Sequence, residues 1–179
     1  SQNIKDSNDS VKDENYEMYE RIMVFSSIEA FTKELVKNNI KLNKKNNSDL
    51  IEVEIQFSNF SEKYGIELKN TVAIALGSNI DNIIKIDINK KMWNTLTDVE
   101  KLSTIFHEVC HDVLNVRHIE GDRLNLMHPY FQPKNYNELQ IMTEKFIRDY
   151  KMGRVETFEK GFFIHDFTKN NMPYLKILK

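Results

Sequence analysis

The feature that most constrains this chain is the string HEVCH, which runs from His107 to His111. Two histidines four residues apart lie one turn apart on the same face of an α-helix. So placed, their imidazole nitrogens can both reach one zinc ion at about 2.0–2.1 Å. The string therefore predicts a helix that carries a metal site, and the fold of the chain has to support that helix.

The residues around the string supply such a helix. Thr97 can cap its N-terminus while Glu100, three residues later, reaches back to the Thr97 backbone, which is the pattern of a capping box. An apolar stripe follows at helical spacing, consisting of Leu102, Ile105, Phe106, Val109 and Val113. Asn115 tolerates the left-handed conformation that ends many helices. A helix over residues 97–114 is therefore predicted, and Cys110 within it is interpreted as a small buried hydrophobe.

Each residue of the string has a separate chemical role. Glu108 is poorly directed to bind the same ion as its neighbour His107, but it can hydrogen-bond a zinc-bound water. Zinc lowers the pKa of such a water to about 7, and the carboxylate can accept its proton as the water attacks a carbonyl. The third protein ligand is expected at His118 on the returning chain, with a later carboxylate, Glu138 or Glu144, as the alternative.

The rest of the 179 residues predicts one small α+β domain, residues 15–179. Residues 1–14 contain two isolated aliphatic side chains and no aromatic one, so they are expected to form a disordered leader. Hydrophobic spacing predicts helical structure over 16–38, strands over 50–57, 71–76 and 83–88, and a supporting helix over 136–150. The tail, 153–179, is rich in phenylalanine and is expected to pack on the domain.

Composition argues against several classes of function. The 25 Lys and Arg against 27 Asp and Glu give a net charge of −2, which offers no electrostatic drive toward nucleic acid or an anionic membrane. A single cysteine excludes an internal disulfide and a multi-cysteine zinc finger. No apolar run approaches the roughly 18 residues of a transmembrane helix. The polar leader favours a secreted or envelope-anchored protein, although one cysteine fits the cytoplasm equally.

The continuation of the string resembles a known group of enzymes. HEVCHDVLNVRH followed by LMHP is similar to the metzincin clan of zinc metallopeptidases, which have HExxHxxGxxH and then a methionine-containing turn beneath the zinc. The resemblance covers residues 107–130. Leu114 stands where the family has glycine, and Asn115 and His118 each come one residue later than their counterparts. One additional helical residue before the same turn would account for both shifts.

This resemblance implies a zincin-like fold with a small twisted mixed sheet, an active-site helix and a C-terminal supporting helix. It implies that Met127 forms a hydrophobic floor under the imidazoles and that His128 lies in the turn without binding the metal. Tyr130 is a candidate contact for substrate or for the developing oxyanion. The implied cofactor is Zn²⁺, and the implied substrate is a peptide or protein held as an extra strand at a sheet edge near residues 71–76.

Three hypotheses for function follow. The first is a zinc endopeptidase with His107, His111 and His118 as ligands and Glu108 as general base. The second is a zinc-stabilised binding module without turnover, which a fourth protein ligand such as His128 would favour. The third is a gluzincin-type hydrolase with Glu138 or Glu144 as third ligand. A peptide deformylase is disfavoured because Cys110 lies inside the string. The sequence does not indicate an oligomeric state.

Overall fold

The computed structural model describes residues 2–43, 51–76, 82–130 and 132–158, with side chains from residue 15 onward. This part of the chain is α+β. Its elements are α1 (Gln2–Lys37), β1 (Glu52–Ser58), α2 (Phe60–Tyr64), a 3-10 turn (Ile66–Leu68), β2 (Ala73–Leu76), β3 (Ile83–Asn89), α3 (Lys90–Trp93), α4 (Asp98–Leu114) and α5 (Tyr136–Lys151). Among the described helices, none has both the length and the apolar character that a bilayer crossing requires.

Helix α4 confirms the helix predicted around the HEVCH string. The Thr97 side chain accepts a hydrogen bond from the Glu100 backbone, and the Glu100 side chain accepts one from the Thr97 backbone, so both halves of the capping box are present. The three predicted strands and the helix over 136–150 are also found, with ends shifted by a few residues. Residues 159–179 of the tail lie outside the described part of the chain.

The N-terminal end of helix α1 differs from the sequence prediction. The helix begins at Gln2 and includes most of residues 1–14, for which a disordered leader is expected. A formed helix extends by one hydrogen bond per residue without a new nucleation cost, which explains how a polar segment can continue it. Because the side chains of residues 1–14 are not described, a domain boundary at residue 15 stays a prediction.

The sheet is built around strand β3, which pairs in parallel with β1 and antiparallel with β2. Successive side chains of a strand point to opposite faces. The alternate residues Ile84, Ile86 and Ile88 face the main hydrophobic core, which α1 and α4 complete. The other face carries Asp87 and a smaller apolar cluster of Phe60, Leu68 and Ile74. Strand β2 is one edge of this described sheet.

Helix α1 fixes the position of α4. The rings of Phe31 and Phe106 stack with their centroids 4.4 Å apart. Near the start of α4, Lys101 forms an ion pair of 3.2 Å with Glu20, and both side chains are 10% exposed. Glu20 also accepts a 2.8 Å hydrogen bond from the Trp93 indole. Apolar and polar contacts along its length therefore hold the helix that carries HEVCH.

Candidate metal centre

Three imidazole rings converge beyond the middle of helix α4. The Nε2 atoms of His107, His111 and His118 lie 3.1 Å from one another in all three pairs. His111 is buried and the other two are partly buried. Within the described residues, these three form the group of potential ligands close enough to hold one metal ion. The structure thus brings together the three histidines expected from the sequence.

The end of α4 explains how His118 reaches the first two histidines. Asn115 is left-handed, with φ 59° and ψ 34°, as its position after the helix predicts. The chain then turns back and makes an isolated bridge between Val116 and Thr157. On the far side of His118, the Ile119 N–H donates to the Met127 carbonyl at 3.1 Å. Backbone pairing on both sides therefore positions His118, and the one-residue shift from the metzincin pattern does not prevent convergence.

The hydrogen bonds behind the rings indicate which nitrogens carry protons. The Nδ1 atom of His107 lies 2.9 Å from the Leu126 carbonyl, and that of His111 lies 2.7 Å from the Val116 carbonyl. A carbonyl oxygen only accepts, so in both neutral rings the proton belongs on Nδ1 and the lone pair on Nε2. Two such lone pairs face each other at 3.1 Å, where they repel unless a cation lies between them.

The size of the nitrogen triangle fits a transition-metal ion. An equilateral triangle with sides of 3.1 Å has its centre about 1.8 Å from each corner (the side divided by √3). A point about 1 Å off that plane is 2.0–2.1 Å from all three nitrogens, which is the usual Zn–N distance. Three neutral imidazoles also suit zinc better than calcium or magnesium, which prefer oxygen ligands. The donor set therefore fits the implied metal.

Glu108 connects this helix to the edge of the sheet. It is 3% exposed, and its Oε2 accepts a 2.8 Å hydrogen bond from the Ala75 N–H. In an antiparallel pair, every second residue of a strand directs its backbone N–H and C=O toward the partner strand. The Asn89 N–H donates to the Val72 carbonyl, so residues 72, 74 and 76 direct their backbone groups toward β3. The Ala75 N–H therefore points to the open side of β2, and this bond fixes the direction of the carboxylate without breaking the ladder.

A cleft of about 390 Å³ is lined by His107, His118 and Glu108. One wall comes from α4, another from residues 71–73 before and within β2, and a third from the segment after Met127. Tyr130 and His128 line this cleft; Tyr130 is 80% exposed, and its N–H donates to His128 Nδ1 at 3.1 Å. Met127 is fully buried in the main core, and its role as a hydrophobic floor under the imidazoles stays a prediction.

The carboxylates considered as alternative ligands do not join the histidines. Neither Glu138 nor Glu144 belongs to the cluster that could hold a metal ion. Glu144 instead accepts a 3.0 Å hydrogen bond from Gln140 on the exposed side of α5. His128 is also outside the cluster, although it lines the same cleft. The geometry therefore favours His118 over Glu138 or Glu144.

Cys110 is fully buried in the main core, consistent with its interpretation as a small hydrophobe. Burial raises the pKa of its thiol well above the usual value, and the nearby charge of Glu108 raises it further. A protonated, inaccessible thiol is a poor metal ligand. Cys110 therefore has a packing role beside the two histidines.

Sequence reasoning missed two contributors to this site. The Ala75 N–H donates a hydrogen bond to Glu108. Every residue except proline has a backbone N–H, so the residue type at position 75 does not indicate this contact. Gln132 lines the cleft and donates to Thr104, although it lies outside any motif. Comparison with protein-family models, with curated proteins and with solved structures finds no match for this chain.

Proposed function

We propose that this chain is a zinc-dependent metallopeptidase that hydrolyses peptide bonds in the cleft beside His107, His111 and His118. The observation that carries the proposal is the convergence of three Nε2 atoms, two of them on histidines, His107 and His118, that line a cleft together with Glu108. Three protein ligands leave a coordination position for water or substrate, which is typical of catalytic rather than structural zinc sites. A buried carboxylate beside that position is what a hydrolase needs as its base.

Glu108 acts as the general base and then as the proton carrier. When bound, zinc supplies a Lewis acid that polarises the scissile carbonyl and lowers the pKa of water to about 7. Glu108 takes the proton of the attacking water and passes it to the leaving amine. The 2.8 Å bond from Ala75 keeps the carboxylate pointed in one direction, so little reorientation is needed during this transfer.

Strand β2 offers the substrate a backbone to pair with. The register that turns the Ala75 N–H away from β3 also turns the backbone groups of Ala73 to the open side. Residues 71–73 line the cleft. An extended peptide can add there as a further strand, and backbone pairing of this kind tolerates many sequences. The substrate class proposed is therefore an extended peptide or an unfolded segment of protein.

The test is cleavage of a degenerate peptide library by the zinc-loaded chain, followed by mass spectrometry of the products. Glu108→Gln keeps the size of the side chain but removes the base, so we expect cleavage to fall by about 10²–10⁴-fold while zinc stays bound. Glu120→Gln, at an exposed position, is the matched control and should cleave like the wild type.

Two outcomes would reject the proposal. Cleavage by Glu108→Gln at the wild-type rate would show that Glu108 is not the base. A wild-type chain that binds zinc and peptides without cleaving them would indicate the binding module instead. In that case His128, which lines the cleft, is the first residue to examine as a fourth ligand.

A further inference from the structure

We propose that Glu67 selects substrates that place a positive charge in this cleft, beside the segment that leads into β2. The inference rests on the proposed function, because it concerns the same cleft. It adds a substrate class, peptides that bring a lysine or arginine side chain or a free N-terminal amine to this wall, and the residue that recognises the charge.

Glu67 is exposed to solvent and lines the cleft. It belongs to the same wall as Asn70 and residues 71–73. No described residue forms a hydrogen bond or an ion pair with its carboxylate. A substrate in the cleft can therefore meet this charge without first breaking a contact within the chain.

The backbone on both sides of Glu67 is held in place. The Leu68 N–H donates to the Gly65 carbonyl at 3.1 Å, and the Leu68 side chain, 3% exposed, packs in the smaller apolar cluster. Farther along, the Asn89 side-chain amide donates to the Thr71 carbonyl at 2.8 Å. These contacts fix the turn that carries Glu67 to the body of the fold, so the residue keeps its place in the wall of the cleft.

The other charges of the cleft leave Glu67 as the carboxylate available to a substrate cation. The described lining residues include no lysine or arginine, and the second carboxylate among them, Glu108, accepts the Ala75 N–H and is the proposed base. A bound zinc ion would add positive charge at the histidines. A cationic group should therefore favour the Glu67 wall over the metal end of the cleft, whereas a substrate carboxylate beside Glu67 would be repelled.

The extended form of the substrate limits where this preference can occur. Successive side chains of a strand point to opposite faces, so a peptide paired with residues 71–73 directs only alternate side chains to the same side. Lysine and arginine carry their charge at the end of long, flexible side chains, which suits a carboxylate at the wall of the cleft. We therefore expect the preference at one substrate position, not along the whole peptide.

The test measures kcat/KM for N-acetylated peptides that carry Lys, Arg, Met or Glu at one position at a time around the cleaved bond. Lysine and methionine both have unbranched side chains, so their ratio isolates the charge. At one position we expect Lys or Arg to exceed Met by about fivefold at low ionic strength, with Glu cleaved most slowly. The preference should weaken in about 1 M salt, where the Debye length falls to about 3 Å.

Peptides with a free N-terminus distinguish the two sources of positive charge. If a side chain supplies the charge, acetylation leaves the Lys-to-Met ratio unchanged. If the N-terminal amine supplies it, free peptides are cleaved about fivefold faster than acetylated ones near their N-terminus, and the acetylated peptides show no preference for Lys. Either result supports a cation site when it depends on Glu67.

Variants of the chain assign the preference to Glu67. Glu67→Gln keeps the size of the side chain and should bring the Lys-to-Met ratio, or the effect of acetylation, close to one. Glu67→Lys reverses the charge and should favour peptides with Glu over those with Lys. Glu62→Gln, at an exposed position outside the cleft lining, is the matched control and should leave the ratios unchanged. Thermal unfolding of each variant shows that it is folded, and Glu67→Lys decides the matter if Glu67→Gln does not fold.

The outcomes separate this inference from the proposed function. Equal rates for Lys, Arg and Met at every position with no effect of acetylation, or a preference that survives Glu67→Gln, would overturn the role of Glu67 while peptide cleavage still stands. A chain that cleaves none of the peptides would overturn both.

Discussion

Two of the polar clusters in the described part of the chain differ in how their groups match, one under helix α2 and one at the end of helix α4. In the first, the fully buried Asp87 accepts hydrogen bonds from Ser58 at 2.6 Å, from Lys63 at 2.7 Å and from Tyr64. In the second, His107, His111 and His118 bring three Nε2 atoms within 3.1 Å of one another. The first cluster joins donors to an acceptor, whereas in the second the acceptor nitrogens of His107 and His111 face each other.

The difference distinguishes a structural cluster from a binding site. Donors from Ser58, Lys63 and Tyr64 meet the charge of Asp87, so that cluster is complete within the chain and ties α2 to the sheet. The facing lone pairs of His107 and His111 repel each other, and a cation between them would remove that repulsion, so this cluster could hold a metal ion. Burial of polar groups alone therefore does not indicate a binding site. Two acceptors that face each other do indicate one, because a bound cation would satisfy both.

The largest expected effect on stability comes from breaking the first cluster. Asp87→Ala leaves partly buried donors without an acceptor, and breaking a fully buried ion pair typically costs about 3–5 kcal/mol. We expect about 3 kcal/mol in the free energy of unfolding, because Lys63 can turn toward water. Urea unfolding with zinc and with a chelator should give the same loss, since this cluster does not depend on metal.

Glu54→Ala is the control for this prediction, because Glu54 forms a looser pair of 3.8 Å with Lys85 at the surface. Removing such an exposed pair should change stability by less than about 1 kcal/mol. A destabilisation by Asp87→Ala that appears only in the presence of zinc would contradict the comparison between the clusters.

Metal removal should affect only the second cluster. A metal at a hundred times its Kd stabilises the folded state by about 2.7 kcal/mol, so a chelator should lower the free energy of unfolding by that amount. His118→Ala should lose this response, whereas the matched variant His128→Ala, in the same cleft, should keep it. The measurement is urea unfolding with and without chelator. A chelator response retained in His118→Ala but lost in Glu138→Ala would support the gluzincin alternative.

The smallest expected effect concerns Cys110, between the two helical ligands. Its thiol is fully buried, and its raised pKa keeps it protonated. Cys110→Ala should therefore cost about 1 kcal/mol of stability through lost packing. Zinc affinity, measured by competition with a chromophoric chelator, should stay within about threefold. A loss of affinity above tenfold would show that the thiol belongs to the metal site.

The sequence predicted the parts of the site that depend on local geometry. The capping box of Thr97 and Glu100 and the left-handed Asn115 follow from residue type and position within a few residues. The spacing of His107 and His111 likewise follows from the helical repeat. Because these signals are local, the helix and its ligand pair could be predicted from a single sequence.

Other parts depend on pairing between distant segments. The parallel pairing of β1 with β3 and the antiparallel pairing of β2 leave no separate sequence signal. Because one additional helical residue turns the chain by about 100°, the spacing of His118 alone does not determine the direction from which it approaches the other two rings. Ala75 acts through its backbone, and Gln132 through a bond to Thr104, 28 positions earlier. These contacts became visible only in three dimensions.

The proposed function requires three imidazoles, those of His107, His111 and His118, to bind one zinc ion. X-ray absorption at the zinc edge, with metal analysis of the zinc-saturated wild-type chain, measures that coordination. We predict one zinc per chain with three imidazole nitrogens at about 2.0–2.1 Å. A chain that retains no zinc, or a zinc bound by two imidazoles or fewer, would show that the three rings do not form a metal site.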